Sequence, residues 1–224
     1  MYVQGVIEFN TSYSVLPPGS SAPIGPAQEL TGSYSLLLVD KTEIGVGSGI
    51  FNYTFAPAGA DGTIISLYLD DSPDLNTVAV NCTSYADCLA KATDGASWAT
   101  LGFDGDVNNA FLVSGMGDDI GDLLGAASTV TVGSENFFLN ILTNNTGQTF
   151  GTQDCTSSGC PAGGDNAVQV IGGGALKGGQ GLANGAVTRS DVDAQVAPIP
   201  EPGALALIAG GLLAAAGIGR RRKS

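Results

Sequence analysis

Short runs of alternating apolar and polar residues recur along most of the chain, separated by clusters of Gly, Pro, Asn and Asp. Such alternation places the apolar side chains on one face of a β-strand. Phe51, Tyr53 and Phe55 alternate with polar residues in this way, and we assign their shared face to a protein core. By the same criterion, strands are predicted at residues 2–8, 33–39, 44–55, 63–69, 77–80, 110–114, 128–132, 136–142 and 167–171.

The number and spacing of these strands predict an all-β fold for residues 1–158, an antiparallel β-sandwich of the jelly-roll-like kind. One short helix is predicted at residues 84–91, with Ser84 as its N-cap. A mixed aromatic and aliphatic group is also assigned to the core: Trp98, Leu101 and Phe103.

Residues 159–197 are rich in glycine, with ten glycines between Gly159 and Gly185. Glycine-rich segments behave as flexible chains. This composition predicts a linker that holds the folded body away from whatever follows it.

The chain is acidic, with a formal net charge of −13, and it has no basic residue between Ala92 and Leu176. Such a surface repels phosphate backbones, so nucleic-acid binding is disfavoured. It suits cations, and it also keeps an exported protein soluble.

The four cysteines form two close pairs, each flanked by turn-forming residues: Cys82 with Cys88, and Cys155 with Cys160. In an exported protein this spacing predicts two local disulfides. A zinc site is the alternative, but the chain has no histidine and the spacing is not that of a thiolate cluster.

The C-terminal segment combines three features in a fixed order. Residues 203–219 are uncharged and mostly apolar, and as a helix they would extend roughly 25 Å, just short of a hydrocarbon core. A basic cluster follows, which is typical of a cytoplasmic membrane end: Arg220, Arg221, Arg222 and Lys223. Prolines ahead of the apolar run disfavour helix and leave the chain accessible: Pro198, Pro200 and Pro202. We therefore predict a single transmembrane helix at about 203–219.

The order Pro200-Glu201-Pro202, apolar segment and terminal basic cluster resembles the PEP-CTERM sorting tail of Gram-negative exported proteins, here over residues 198–224. The resemblance implies that the tail holds the protein in the inner membrane until exosortase processes it near the motif. The product would then reach the cell surface or extracellular matrix. An ordinary single-span anchor that stays in place is the alternative, but it does not explain the Pro-Glu-Pro sequence.

Members of that family also carry an N-terminal signal peptide. Residues 1–9 have neither a basic region nor an apolar one and are typical of a strand. We therefore expect targeting residues ahead of Met1 in the natural protein.

The absence of histidine excludes Ser-His-Asp and Cys-His catalysis, and no nucleotide-binding motif is present. A hydrolase that uses a pair of carboxylates needs no histidine. The sequence marks no such pair among its 21 acidic residues, so we expect no enzyme activity.

Asp104, Asp106 and Asn108 alternate as oxygen-bearing residues, in the manner of the first half of a calcium loop. The pattern then departs from an EF-hand, since Asn109 and Gly115 stand where glycine and glutamate are required. Calcium is thus the one candidate cofactor, and solvated turns are the alternative. Two other acidic groups offer similar oxygens: Asp118, Asp119 and Asp122, and Asp70, Asp71 and Asp74.

The function expected from these features is that of a non-catalytic surface or matrix protein. In the family that the tail resembles, such tails accompany exopolysaccharide production, and the strand pattern also resembles flocculation-associated members. Exosortase and the inner membrane are the expected partners during sorting, followed by exopolysaccharide or other surface proteins. A secreted carbohydrate- or calcium-binding module is the alternative, and a carboxylate-based hydrolase is a third.

Overall fold

A computed structural model describes residues 1–9, 28–77, 81–116, 126, 130–161, 163–179 and 188–199. The Pro-Glu-Pro motif, the predicted transmembrane helix at 203–219 and the basic cluster lie outside these residues, as do Asp118, Asp119 and Asp122. In the ranges that the structure describes, no helix has the length and apolar character needed to cross a membrane.

Antiparallel β-structure dominates the described residues, which confirms the predicted all-β class. Helix α1 (Tyr85–Ala92) lies between the fourth and fifth strands, and a single 3₁₀ turn spans Thr156–Ser158. The strands are β1 (Tyr2–Glu8), β2 (Glu29–Glu43), β3 (Ile50–Pro57), β4 (Thr63–Asp70), β5 (Ala96–Gly102), β6 (Ala110–Met116), β7 (Thr131–Asn144), β8 (Phe150–Gly151), β9 (Gln153–Asp154), β10 (Ala167–Val168), β11 (Val170–Gly178) and β12 (Thr188–Pro198).

Two long strands, β2 and β7, organise the sheet. β2 pairs with β1 along one edge and with β4 and then β3 along the other. β7 pairs with β11 along one edge, and β6 and β5 also pair with it, one after the other. Because β3 pairs with β6 and β4 with β5, the pairings form a closed circuit of six strands, which β11 and β12 extend.

β3 and β4 pair with successive parts of β2, and β5 and β6 pair with successive parts of β7, so the β3–β4 and β5–β6 connections lie where one strand of each pair gives way to the next. They occupy residues 58–62 and 103–109, and they lie side by side where the Phe103 amide donates to the Gly62 carbonyl at 3.0 Å. Segment 103–109 carries the aspartates that the sequence marks as a candidate calcium site.

One main core receives side chains from all six strands of the circuit. Tyr53 and Phe55 are buried in it and Phe51 packs against it, which confirms their predicted face. Leu101 is buried in the same core, with Trp98 packed against it. A smaller core covers the opposite face of β6, β7 and β11: Ala110, Phe138, Cys155 and Val168.

Helix α1 begins as predicted. The Ser84 hydroxyl accepts a hydrogen bond from the Asp87 amide at 3.2 Å, and the Asp87 carboxylate accepts one from the Thr83 amide at 2.8 Å. The first bond satisfies a donor that the helix N-terminus leaves without an intrahelical partner, and the second ties the Asp87 side chain to the residue ahead of the N-cap. The Cys82–Cys88 disulfide holds the helix to the preceding segment.

The predicted linker at 159–197 is wrong where the structure describes it, because β10, β11 and β12 lie there. β11 is an interior strand paired with both β7 and β12. Gly172 faces the Phe137 ring, where an added Cβ would lie 2.1 Å from Cζ. The glycine is therefore needed for packing, and the body extends beyond residue 158.

Several predicted strand boundaries also differ from the structure, and the strand predicted at 77–80 lies outside the described residues from 78 onwards. Residues 44–49 form the β2–β3 turn, where Gly45, Gly47 and Gly49 all have positive φ. The separate strands predicted at 128–132 and 136–142 are parts of β7 in the described residues, and β5 was not predicted.

Candidate functional site

Segment 103–109 folds around its own aspartates. The Asp104 carboxylate accepts from the Asp106 amide at 3.0 Å, and the Asp106 carboxylate accepts from the Asn108 amide at 2.9 Å. Gly105 lies between them with φ +98°, a conformation that favours glycine. These two consecutive turns bring alternate side chains, the residues marked by the sequence, to the same side of the segment.

Two residues from distant parts of the chain join this segment. The Asn140 amide nitrogen, from β7, donates to both Asp104 carboxylate oxygens at 3.0 Å. The side-chain nitrogen of Asn108, Nδ2, donates to Asp106 Oδ1 at 2.9 Å and to Asp165 Oδ1 at 2.8 Å. We call this group of Asp104, Asp106, Asp165, Asn108 and Asn140 the three-aspartate cluster.

Asn108 is the buried centre of the cluster, with 0% of its surface exposed. Its Oδ1 is buried and accepts no hydrogen bond. Gly164 approaches the same amide closely, since an added Cβ there would lie 2.6 Å from Oδ1 and 2.7 Å from Nδ2. A buried amide oxygen without a donor costs roughly 1–3 kcal/mol, so this atom requires an explanation.

A second acidic group forms where β2 pairs with β4, in which Glu29 lies opposite Asp70. Carboxylate oxygens of Glu29, Asp70 and Asp74 lie within 4.8 Å of one another. Burial raises the pKa of Glu29, and desolvation followed by the charge of Asp94 raises that of Asp74. Asp70 Oδ2 is buried without a hydrogen bond.

The sequence-marked group Asp70, Asp71 and Asp74 is thus only partly brought together. Asp71 instead accepts a hydrogen bond from the Gln28 side chain at 2.5 Å. Glu29 was missed because it lies far away in sequence, and only the register of β2 on β4 brings it to the other two.

A shallow depression lies between β1, β2, β4 and helix α1, lined largely by hydroxyl, amide and aromatic groups. Tyr34 and Tyr85 contribute aromatic rings, and Gln4 contributes an amide. Burial raises the pKa of the Tyr34 phenol. Gly5 leaves room for that phenol, because an added Cβ would overlap the Tyr34 ring.

The tail matches a known protein-sorting motif. Residues 198–223 match the PEP-CTERM protein-sorting motif, a stretch that includes the predicted processing residues Pro200, Glu201 and Pro202 and the basic cluster. The chain carries a PEP-CTERM sorting motif. This motif indicates a protein that exosortase sorts to the cell surface of a Gram-negative bacterium.

No curated protein and no solved structure is detectably similar to the chain. The resemblance of the body to flocculation-associated PEP-CTERM proteins is therefore unsupported.

Both disulfides expected of an exported PEP-CTERM protein are present, Cys82–Cys88 and Cys155–Cys160. The predicted pairing is confirmed, and each of the four cysteines has its partner. Exported proteins keep such bonds because their compartment is oxidising.

The folded body extends into the first two residues of the stretch that matches the PEP-CTERM motif, and it almost reaches Pro-Glu-Pro. Ala197 and Pro198 pair with β8, and the Ile199 amide donates to the Thr149 carbonyl at 2.8 Å. Only one residue of chain separates Ile199 from Glu201, so the described part of the sheet ends close in sequence to the residues predicted for processing.

Proposed function

We propose that this PEP-CTERM protein is a non-catalytic component of the cell surface or extracellular matrix that acts in association with exopolysaccharide, in biofilm or flocs. The sorting motif at residues 198–223 carries the proposal, because it fixes the route of delivery. The remaining support comes from the body that is delivered.

Two features of the body support the proposal, the disulfides for an extracellular location and the depression for a non-catalytic role. Each disulfide closes a short segment against a small core, one beside α1 and the other over β7. The depression beside α1 is lined by Gln4, Tyr34, Tyr85 and other residues, with no carboxylate or thiol in the described lining. These groups suit binding by hydrogen bonds and ring contacts rather than acid–base catalysis.

Substitution at the motif tests the route. Glu201→Gln removes the acidic residue of Pro-Glu-Pro, and Asp193→Asn on β12 is a matched loss of one charge outside the motif. We expect the Glu201→Gln protein to keep the mass of the chain with its tail uncleaved and to stay in the inner-membrane fraction. The Asp193→Asn protein should be processed like the wild type. Equal processing of both variants, read by intact mass in each cell fraction, would contradict the assigned role of Glu201.

Deletion of the gene tests the role of the delivered body separately. We expect reduced floc or biofilm cohesion under exopolysaccharide-producing conditions, restored by the wild-type gene and not by one encoding Glu201→Gln. Normal sorting with unchanged cohesion would leave the route intact and refute the matrix function. Release of reducing sugar from exopolysaccharide by purified protein would refute the non-catalytic assignment.

Carbohydrate binding at the depression is a second candidate, favoured by Tyr85, whose side chain is 43% exposed beside hydroxyl and amide groups. Sugars bind such combinations of an aromatic face and polar edges. Tyr85→Ala should abolish signals on a glycan array, whereas Tyr2→Ala, at an exposed tyrosine outside the lining, should preserve them. An array that gives no signal with the wild-type chain would exclude this candidate.

A further inference from the structure

We propose that residues 195–199, which we call the C-terminal strap, hold back the processing of the tail, so that exosortase acts only on chains from which the strap has left the body. The inference rests on the proposed route of sorting and concerns the step that makes the motif accessible. The strap comprises the last four residues of β12 and Ile199, and it stands directly ahead of Pro200-Glu201-Pro202.

The end of the strap is held by a short attachment. It pairs with β8, a strand of two residues, Phe150–Gly151. Beyond that pair, the Ile199 amide donates to the Thr149 carbonyl at 2.8 Å. The Ile199 side chain lies against Gly151, where an added Cβ would be 3.0 Å from Cγ1. Release of the strap therefore breaks few main-chain bonds to this segment.

A glutamine side chain fastens the beginning of the strap. Gln153 Nε2 donates to the Gln195 carbonyl at 2.8 Å and to the Gln169 carbonyl at 3.1 Å. The Gln169 side chain donates to the Phe150 carbonyl at 3.3 Å and accepts from the Ile141 amide at 2.8 Å. Gln153 is thus tied to the rest of the body, and its bond to Gln195 is the one that holds the strap.

The strap buries little apolar surface. Val196 is 45% exposed and Ile199 is 48% exposed, whereas Val170, which pairs with Val196 from β11, is buried in the main core. Segments with few buried apolar contacts and exposed backbone hydrogen bonds open locally at a small part of the free energy of global unfolding. The strap can therefore leave while β11 and the core stay folded.

Little chain lies between the strap and the predicted membrane helix. Residues 200–202 alone separate Ile199 from the apolar run at 203–219, and three extended residues reach at most about 11 Å. With the strap in place, the folded body would lie within that distance of the membrane and occupy space beside the motif. Release of the five strap residues adds roughly 17 Å of chain, which gives an enzyme room to approach.

Main-chain donors next to the motif are scarce. Three prolines within residues 198–202 have no N–H, so Ile199 and Glu201 carry the only amide donors in that stretch. A protein that binds an extended peptide as an added strand gains affinity from main-chain hydrogen bonds. The Ile199 amide cannot make such a bond while it donates to Thr149. The group that holds the strap in the body is thus one that a processing enzyme needs.

A disulfide across the strap tests whether the strap must leave. Gly151→Cys with Ala197→Cys joins paired positions of β8 and β12. Ala175→Cys with Asp191→Cys joins paired positions of β11 and β12 outside the strap, and it is the matched control. Each full chain is produced with exosortase, and intact mass is read in each cell fraction. We expect the 151–197 crosslink to prevent loss of the tail, whereas the 175–191 crosslink and the two single-cysteine variants at 151 and 197 are processed like the wild type.

Gln153→Ala provides a change in the opposite direction. It removes the donor to the Gln195 carbonyl, so the strap should leave more often and the tail should be processed roughly two- to tenfold faster. Gln4→Ala, which removes an amide bonded to Ser35, is the matched control and should be processed at the wild-type rate. Hydrogen exchange at the Ile199 amide reads release without exosortase, and it should be faster in Gln153→Ala and slower in the 151–197 crosslink.

The outcomes separate the strap from the route of sorting. Processing of the 151–197 crosslinked chain at the wild-type rate would overturn the strap and leave the route intact. So would an unchanged processing rate in Gln153→Ala, whether or not Ile199 exchanges faster. Retention of the tail by the wild-type chain in the presence of exosortase would refute the route itself, and this inference with it.

Discussion

Gly172 offers a sharp test of the packing that replaces the predicted linker. Its missing side chain lets the Phe137 ring lie against β11, and an added Cβ would come within 2.1 Å of Cζ and 2.3 Å of Cε2. Phe137 is 4% exposed and stacks on Phe111 at 5.5 Å between centroids. Phe111 in turn meets Phe55 edge-on, so the Phe137 ring cannot move without disturbing a row of three aromatic side chains.

Gly172→Ala should therefore destabilise the fold. Overpacking a core by one methyl group costs about 1–3 kcal/mol. Loss of glycine's freedom in the unfolded chain returns about 0.4–1 kcal/mol, so the net loss is about 1.3 kcal/mol when the middle of each range is taken. For a chain of this size the melting temperature falls by roughly 2–4 °C for each kcal/mol.

Thermal and denaturant unfolding, followed by circular dichroism with the disulfides intact, measures this loss. Gly59→Ala is the control, because its tightest contact is the movable end of the exposed Asp61 side chain, and it should be close to neutral. Phe137→Leu should partly relieve Gly172→Ala, so that the double variant is more stable than the sum of the two losses by roughly 0.5 kcal/mol or more. A neutral Gly172→Ala, as a flexible linker would give, or simple additivity would refute the reasoning.

Two further predictions concern buried and capping groups. Burial raises the pKa of Glu135, and the hydrogen bond from the Ser190 hydroxyl lowers it by a smaller amount. Protonated Glu135 therefore stabilises the fold fully below the ordinary pKa of 4.5, and this stabilisation is lost as pH rises through the raised pKa. Glu135→Gln should flatten the decline of stability across that window, measured by denaturant unfolding at a series of pH values; an unchanged slope would contradict the assignment. Ser84→Ala should cost about 1 kcal/mol because the Asp87 amide loses its acceptor, whereas Ser97→Ala on β5 should not lower the melting temperature comparably.

The sequence predicts those parts of the fold that depend on neighbouring residues. Alternation at Phe51, Tyr53 and Phe55 identifies a core face, Ser84 identifies a helix start, and close cysteine spacing identifies two disulfides. Each of these patterns spans only a few residues, so local chemistry decides it.

The errors arise where a distant partner decides the structure. Gly172 and Gly173 look like linker residues because glycine carries no apolar side chain to mark a strand, and the reason for Gly172 is Phe137 on β7. The candidate site shows the same division. Asp104, Asp106 and Asn108 are visible as a local pattern, whereas Asp165 lies 57 residues from Asn108 and joins the site only through the fold.

The position of β12 changes the physical relation between body and tail. A flexible segment would let the body stand away from the membrane during sorting. Instead, β12 pairs with β11 through nine residue pairs, from Val170 with Val196 to Gly178 with Thr188, and its end pairs with β8. Tension on a membrane-held tail would therefore act along β12 and be resisted by this ladder of hydrogen bonds. If exosortase acts at Pro-Glu-Pro, as the resemblance implies, it acts on residues close in sequence to a folded sheet, or on a chain from which β12 has first separated.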